Sequence, residues 1–150
     1  MVLFWNRIIL MMTLAAILFS CGSGTLTLSE MKKFKYIEIG DEYYKNKNLA
    51  SAQIYYEKAL NSDLSLNNDL FFISRMIKVF GEQKNIKEIK KIRGKINNDE
   101  SEIYYYCLAK IEFYLKNFEV SKNYFKKAKA KAPKHKKAFY NCLIERNCKT

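Results

Sequence analysis

From Leu49 to Leu60 the chain reads LASAQIYYEKAL. Ala52, Tyr56 and Ala59 fall at i, i+4 and i+7, which is one face of a helix. Two small side chains let a partner helix approach closely, and the Tyr56 ring fills the hole beside them; Gly40, on the preceding helical stretch, receives that approach. Apolar positions keep a helical period through most of the chain and predict seven helices, over residues 30–46, 49–61, 68–82, 85–96, 101–116, 118–131 and 134–147. The breaks carry turn chemistry: Asn46-Lys47-Asn48, Ser62-Asp63, Asn67-Asn68, Asn97-Asn98-Asp99 and Ala132-Pro133. Ser101, with Asp99 and Glu102 beside it, suits a helix start. The last helix sets Lys134, His135, Lys136 and Lys137 outward and keeps Phe139, Leu143 and Ile144 for burial, as a solvating cap does. Helices this short are marginal alone in water, so each must bury its stripe on a neighbour. The fold class is all-α.

The pattern repeats. Residues 46–60, NKNLASAQIYYEKAL, return in altered form as residues 115–129, LKNFEVSKNYFKKAK. Ala52, Tyr56 and Ala59 align with Ser121, Phe125 and Ala128, and Gln83-Lys84-Asn85-Ile86 marks a middle copy. With Lys33 as position 1, Tyr36, Ile39, Gly40, Tyr43, Ala52, Tyr56 and Ala59 occupy the signature positions of a 34-residue helix–turn–helix unit. The chain resembles the tetratricopeptide repeat family over roughly residues 30–148. Leu64 stands where that family usually has Pro, a place that Pro133 fills in the third copy. Glu112 departs from the aromatic at position 11 of the third copy. The middle copy is degenerate, with Ile77, Ile89, Arg93 and Ile96 in place of small and aromatic residues. The resemblance implies an α-solenoid of about three repeats with a C-terminal capping helix.

It also implies a concave groove lined by the first helix of each unit. The corresponding residues are Phe34, Ile37, Asp41 and Tyr44, then Phe71, Ser74 and Lys78, then Ile103, Tyr106, Lys110, Phe113 and Tyr114, with Lys137 and Tyr140 from the last helix. The lining is aromatic with scattered lysines, which suits an extended or helical peptide with apolar anchors and some acidic residues. The Lys/Asn/Arg clamp that some relatives place on a peptide's terminal carboxylate is missing, since Ile37 and Asp41 stand there in the first copy.

Residues 1–24, MVLFWNRIILMMTLAAILFSCGSG, form a separate object. Arg7 precedes an apolar run from Ile8 to Phe19 that is short for a membrane span, so the segment reads as a secretory signal. Leu18-Phe19-Ser20-Cys21 resembles the lipobox of bacterial lipoproteins, with Phe19 as its departure and an uncleaved N-terminal anchor as the competing reading. The resemblance implies lipidation at Cys21. The domain plan is then a signal peptide at 1–20, a lipidated Cys and flexible tether at 21–29, and a repeat domain at 30–150. The expected place is the bacterial cell envelope, on the non-cytoplasmic side of a membrane.

The net charge is +12 over 150 residues. Such a balance attracts polyanions, although Lys, Asn and Ile all have AT-rich codons and a solvated lysine surface accounts for it equally. Nothing assembles into an enzyme. His135 is the single histidine and lies in a basic run, no Gly-rich phosphate loop exists, and Glu38, Asp41 and Glu42 read as an i, i+4 surface set on the first helix, with Asp41 beside Lys45. No metal or cofactor is expected. After Cys21 three cysteines follow, Cys107, Cys142 and Cys148; an odd count leaves a thiol unpaired, and Cys107 reads as core. The expected function is a membrane-tethered, non-enzymatic adaptor that binds a protein or peptide segment in the groove. One alternative uses the basic outer face, Lys84 to Lys95 and Lys122 to Lys131, for anionic envelope polymer or lipid headgroups. The other is a structural homodimer. Nucleic acid is not an expected partner.

Overall fold

A computed structural model describes residues 27–146 of the chain; Cys21, its lipobox and Cys148 lie outside the described residues. Those residues form seven α-helices and no strand. They are α1 (Leu28–Lys45), α2 (Leu49–Ser62), α3 (Leu70–Glu82), α4 (Ile86–Arg93), α5 (Glu102–Tyr114), α6 (Phe118–Lys131) and α7 (Lys137–Arg146). Short 3₁₀ turns at Leu64–Asn68 and Lys134–Lys136 delay the starts of α3 and α7 relative to the periodicity. The first turn forms because Asp63 caps it, its Oδ1 accepting from the Ser65 N–H at 2.9 Å, and Asp69 then caps α3 through Phe71 and Phe72. Helix α1 starts earlier than periodicity indicates. Thr27 and Glu30 make a reciprocal capping box there.

The helices pack in chain order, each against its sequence neighbours, and α3 also lies along α5. The closest pairs are α1 with α2 and α5 with α6. Ala52, Tyr56 and Ala59 are buried together with Leu66, Phe72 and Val79 between α1, α2 and α3. An ideal Cβ on Gly40 would stand 2.5 Å from Tyr56 Cε1, so the backbone of α1 rests on that ring. The ring is held from two other directions. Its hydroxyl donates to Asp41 Oδ1 at 2.6 Å, and Phe72 meets it edge-on at 5.9 Å. In the third pair Ala109, Phe125 and Ala128 are buried with Tyr140, and the Ser121 hydroxyl donates to the Ala109 carbonyl at 2.8 Å. Between these, Ile77, Phe80, Ile89, Cys107 and Ile111 fill the space that the middle pair encloses.

One joint recurs three times. Lys47, Lys84 and Lys116 take left-handed φ values of 60°, 58° and 66°. Each is followed by an Asn that opens the next helix. In every case the Lys N–H reaches the carbonyl three residues back and the Asn N–H the carbonyl five back: Asn48 to Tyr43, Asn85 to Phe80 and Asn117 to Glu112. This is a Schellman closure leading straight into an N-cap. The middle pair therefore turns as the outer two do, despite its degenerate faces.

It differs in length. Helix α4 has 8 residues where α2 and α6 have 14, and it stops at Gly94, short of the expected 96. The aromatic position of that helix is Arg93, whose Nη2 lies 2.8 Å from Oε1 of the buried Glu112 on α5. Asn117 donates to Glu112 Oε2 at 2.7 Å, and its own helix receives no side-chain cap. The two departures from the repeat pattern thus form one ion pair that fastens the second pair of helices to the third.

Candidate groove site

Helices α1, α3 and α5 place their groove-facing residues side by side. Asp41, Tyr44, Phe71, Ser74 and Lys78 line one hollow of about 300 Å³, with Arg75 and the Tyr56 ring. Phe71, Ile103, Tyr106 and Tyr140 line a second of about 460 Å³, with Ser101, Glu102, His135, Lys136 and Phe139. Phe71 borders both and is 62% exposed. Phe34, Ile37 and Asp41 border a third hollow at the α1 end, beside Glu38, Glu42 and Lys45. Phe34 and Phe139 are also more than half exposed. Of these exposed rings on α1, α3 and α7, Phe139 also packs on Tyr106 and Tyr140, with centroids 6.3 and 5.3 Å away.

Three expectations need correction. Lys137 does not face this groove; it lines a separate one between α6 and α7 with Lys126, Lys129, Ala130, Asn141 and Ile144, because α7 begins three residues later than the pattern implied. Tyr140 lines the second hollow as expected, although it is also core and 2% exposed. Phe139 beside it stands 52% exposed where burial was expected. Asp41 is not a partner of Lys45. Its carboxylate turns inward to the Arg75 Nε at 3.0 Å and to the Tyr56 hydroxyl.

Asp41 illustrates a rule for this groove. Glu82 accepts from the Tyr44 hydroxyl and from Lys47 Nζ at 3.3 Å. Glu102 accepts from the Tyr140 hydroxyl at 2.7 Å and from Lys136 Nζ at 3.2 Å. Each of these carboxylates is held by one cation and one tyrosine. The Tyr44, Tyr56 and Tyr140 hydroxyls are pushed up from the usual tyrosine range, by burial first and by the carboxylate second. The same bond from Tyr44 lowers Glu82.

The groove cations are less evenly served. Lys110 lies over the Phe113 and Tyr114 rings, at 5.4 and 5.0 Å from their centroids. Burial lowers its pKa, and the neighbouring charge of Lys78 lowers it further, while Glu82 pulls the other way. Burial also pushes the Tyr114 hydroxyl up to about 12. Phe113 packs on Phe118 at 5.7 Å and belongs to the joint before α6 as much as to the groove.

Arg75, Glu82, Glu102 and Phe139 escaped the sequence reading. A signal existed for the first three: their partners stand 34 to 38 residues away, about one repeat length. Among the described residues no three His, Cys, Asp or Glu side chains gather as a metal site, and no helix is long and apolar enough to cross a membrane. A comparison with protein-family models finds no match, and neither does one with curated proteins.

Proposed function

We propose that this domain is a non-enzymatic binding module, a short solenoid of the tetratricopeptide type, that takes a protein or peptide segment along the face made by α1, α3 and α5. The observation that carries this reading is the set of exposed rings, Phe34, Phe71 and Phe139, bordering contiguous hollows. Large apolar side chains left in water beside satisfied polar groups are what a peptide's side chains cover on binding. The threefold joint supports the repeat reading, since it turns the chain the same way within each pair. In the same proposal, lipid on Cys21 tethers the module to a membrane of the cell envelope, on the non-cytoplasmic side.

Site-specific photo-crosslinking in intact cells tests this. A crosslinker at Phe71 is expected to capture a distinct protein, and Tyr106→Ala with Lys110→Ala is expected to abolish that adduct without loss of helical content. The same adducts from Lys90 on α4, or a Phe71 adduct indifferent to the double substitution, would refute it. A second reading rests on the α6–α7 groove, where Lys126, Lys129 and Lys137 converge. This is a surface for an anionic polymer, and its binding would fall steeply with salt where capture on exposed rings would not.

A further inference from the structure

The charge balance of the groove does not close. Asp41, Glu82 and Glu102 are each engaged by a cation and a tyrosine hydroxyl. Those three carboxylates use Arg75, Lys47 and Lys136. Among the described residues, Lys78 on α3 and Lys110 on α5 have no carboxylate within 4 Å. They stand at the same register of adjacent helices, each eight residues after the helix's first, and they sense one another's charge. Glu82 draws on Lys110 but is itself taken up by Tyr44 and Lys47, so two lysines that feel each other's charge, one of them half-buried over aromatic rings, are better served when a further anion shares them.

Taking the peptide-binding reading as its basis, we infer that Lys78 and Lys110 hold the side-chain carboxylate of an acidic residue in the bound segment, next to an apolar residue seated against Phe71 and Tyr106. The placement favours an acidic residue within a segment over a chain end. The two lysines lie on the middle two of the four elements that border the groove. Phe34 stands beyond them on α1 and Phe139 on α7, so the chain has a surface to follow on both sides. The polar hollow holding Lys78 and the more apolar one lined by Ile103, Tyr106 and Phe139 share Phe71 as their common wall. That arrangement accepts a charged and an apolar side chain a short distance apart. The exposed Glu38 and Glu42 at the α1 end repel acidic residues there, which gives the segment a direction.

The probe is a set of acetylated, amidated twelve-residue peptides, each with one Phe and one Glu separated by one to five positions. Each has a twin carrying Gln for Glu, and each Gln twin is also made with a free carboxyl terminus. Binding is read by fluorescence anisotropy on the full chain in detergent. At least one Glu peptide is expected to bind about tenfold tighter than its twin, the scale of a charge-assisted contact. Lys78→Gln and Lys110→Gln are each expected to erase that advantage, Lys126→Gln to preserve it, and Lys78→Glu to transfer preference to a peptide with Lys in place of Glu. Lys78 borders an open hollow, so its variants serve if Lys110→Gln loses helical content. Equal binding of Glu and Gln twins, with loss on Tyr106→Ala, overturns the lysine assignment and leaves the groove reading standing. Preference for the free-carboxyl Gln peptides overturns it in favour of chain-end capture. Failure of every peptide overturns both.

Discussion

Gly40→Ala separates local helix preference from packing, because the two give opposite signs. Within a helix, Ala is favoured over Gly by about 1 kcal/mol, so an unobstructed site would gain stability. Here the new methyl would lie 2.5 Å from Tyr56 Cε1 and 2.6 Å from Cδ1. The ring has little freedom to retreat, being 1% exposed, tied through its hydroxyl to Asp41 and flanked by Phe72. Overpacking of this kind costs about 1–3 kcal/mol. After the propensity gain the net loss should be about 0–2 kcal/mol, toward the upper end because the ring is held on both sides, which lowers Tm by several degrees for a domain of this size. Gly94→Ala is the control, since its nearest neighbours stand at 3.7 and 3.8 Å and its Cβ meets no ring. Gly81→Ala is the informative intermediate: its methyl overlaps the Tyr114 ring, but that ring is half-buried and can swing. Thermal unfolding followed by circular dichroism should rank the losses Gly40 above Gly81 above Gly94. Tyr56→Leu should shrink the Gly40→Ala penalty in a double-mutant cycle. A Gly40→Ala protein as stable as the parent, or more stable, would refute the claim that α1 rests on this ring.

Arg93→Ala should destabilise by about 3 kcal/mol, the low end for breaking a buried pair because Arg93 is itself half-exposed, and Glu112→Met in the same chain should recover much of it; denaturant titration measures both, and additivity of the two changes would count against the pairing. Asp63 is drawn down to about 2, first by its hydrogen bond from Lys33. A depressed carboxylate contributes stability above its unfolded pKa near 4 and loses it as pH falls through its folded value. The Tm gap between parent and Asp63→Asn should therefore shrink between pH 4 and pH 2, and a gap constant over that range would contradict the pairing. Cys107 is buried and its thiol pushed up to about 12 by that burial, whereas Cys142 is exposed; at pH 8, mass-mapped alkylation should mark Cys142 and spare Cys107 until the chain is denatured. Lys84→Gly should raise stability by about 1 kcal/mol, the strain a side chain brings to a left-handed joint; a loss on chemical unfolding would show that the Lys84 side chain does more than occupy the turn.

Helix number and pairing were legible because Ala52, Tyr56, Ala59 and their counterparts encode a close crossing in side-chain size alone. The seven expected stretches correspond to the seven helices, with ends displaced where a cap competes with periodicity, as at Thr27 and Asp69. The short α4 was less readable. Its apolar Ile92 and Ile96 keep the helical period, yet Ile96 follows Gly94 and lies outside the helix, so periodicity overran the true end. Most groove residues were found from their place in the unit, because register fixes which face a residue occupies. Register does not fix direction at the ends of the array. Lys137 was misplaced for that reason, once the Lys134–Lys136 turn had shifted the phase of α7. The Tyr44–Glu82 and Tyr140–Glu102 pairs depend on how one unit stacks on the next, and a single unit's sequence does not contain that information. Two signals could have been read: the one-repeat spacing between those partners, and the Glu112–Arg93 pair, as two misfits of opposite charge on facing helices.

The left-handed joint at Lys47, Lys84 and Lys116 is made of backbone bonds. It sets the direction of the returning chain whatever side chains the flanking helices carry. Mutational change on the faces of one pair can therefore leave its turn intact. The middle unit carries the departures, with an eight-residue α4 and isoleucines in place of glycine and alanine, while the outer two pack small residues against a ring. In a lineage of such chains, new ligand preferences would accumulate first at its centre.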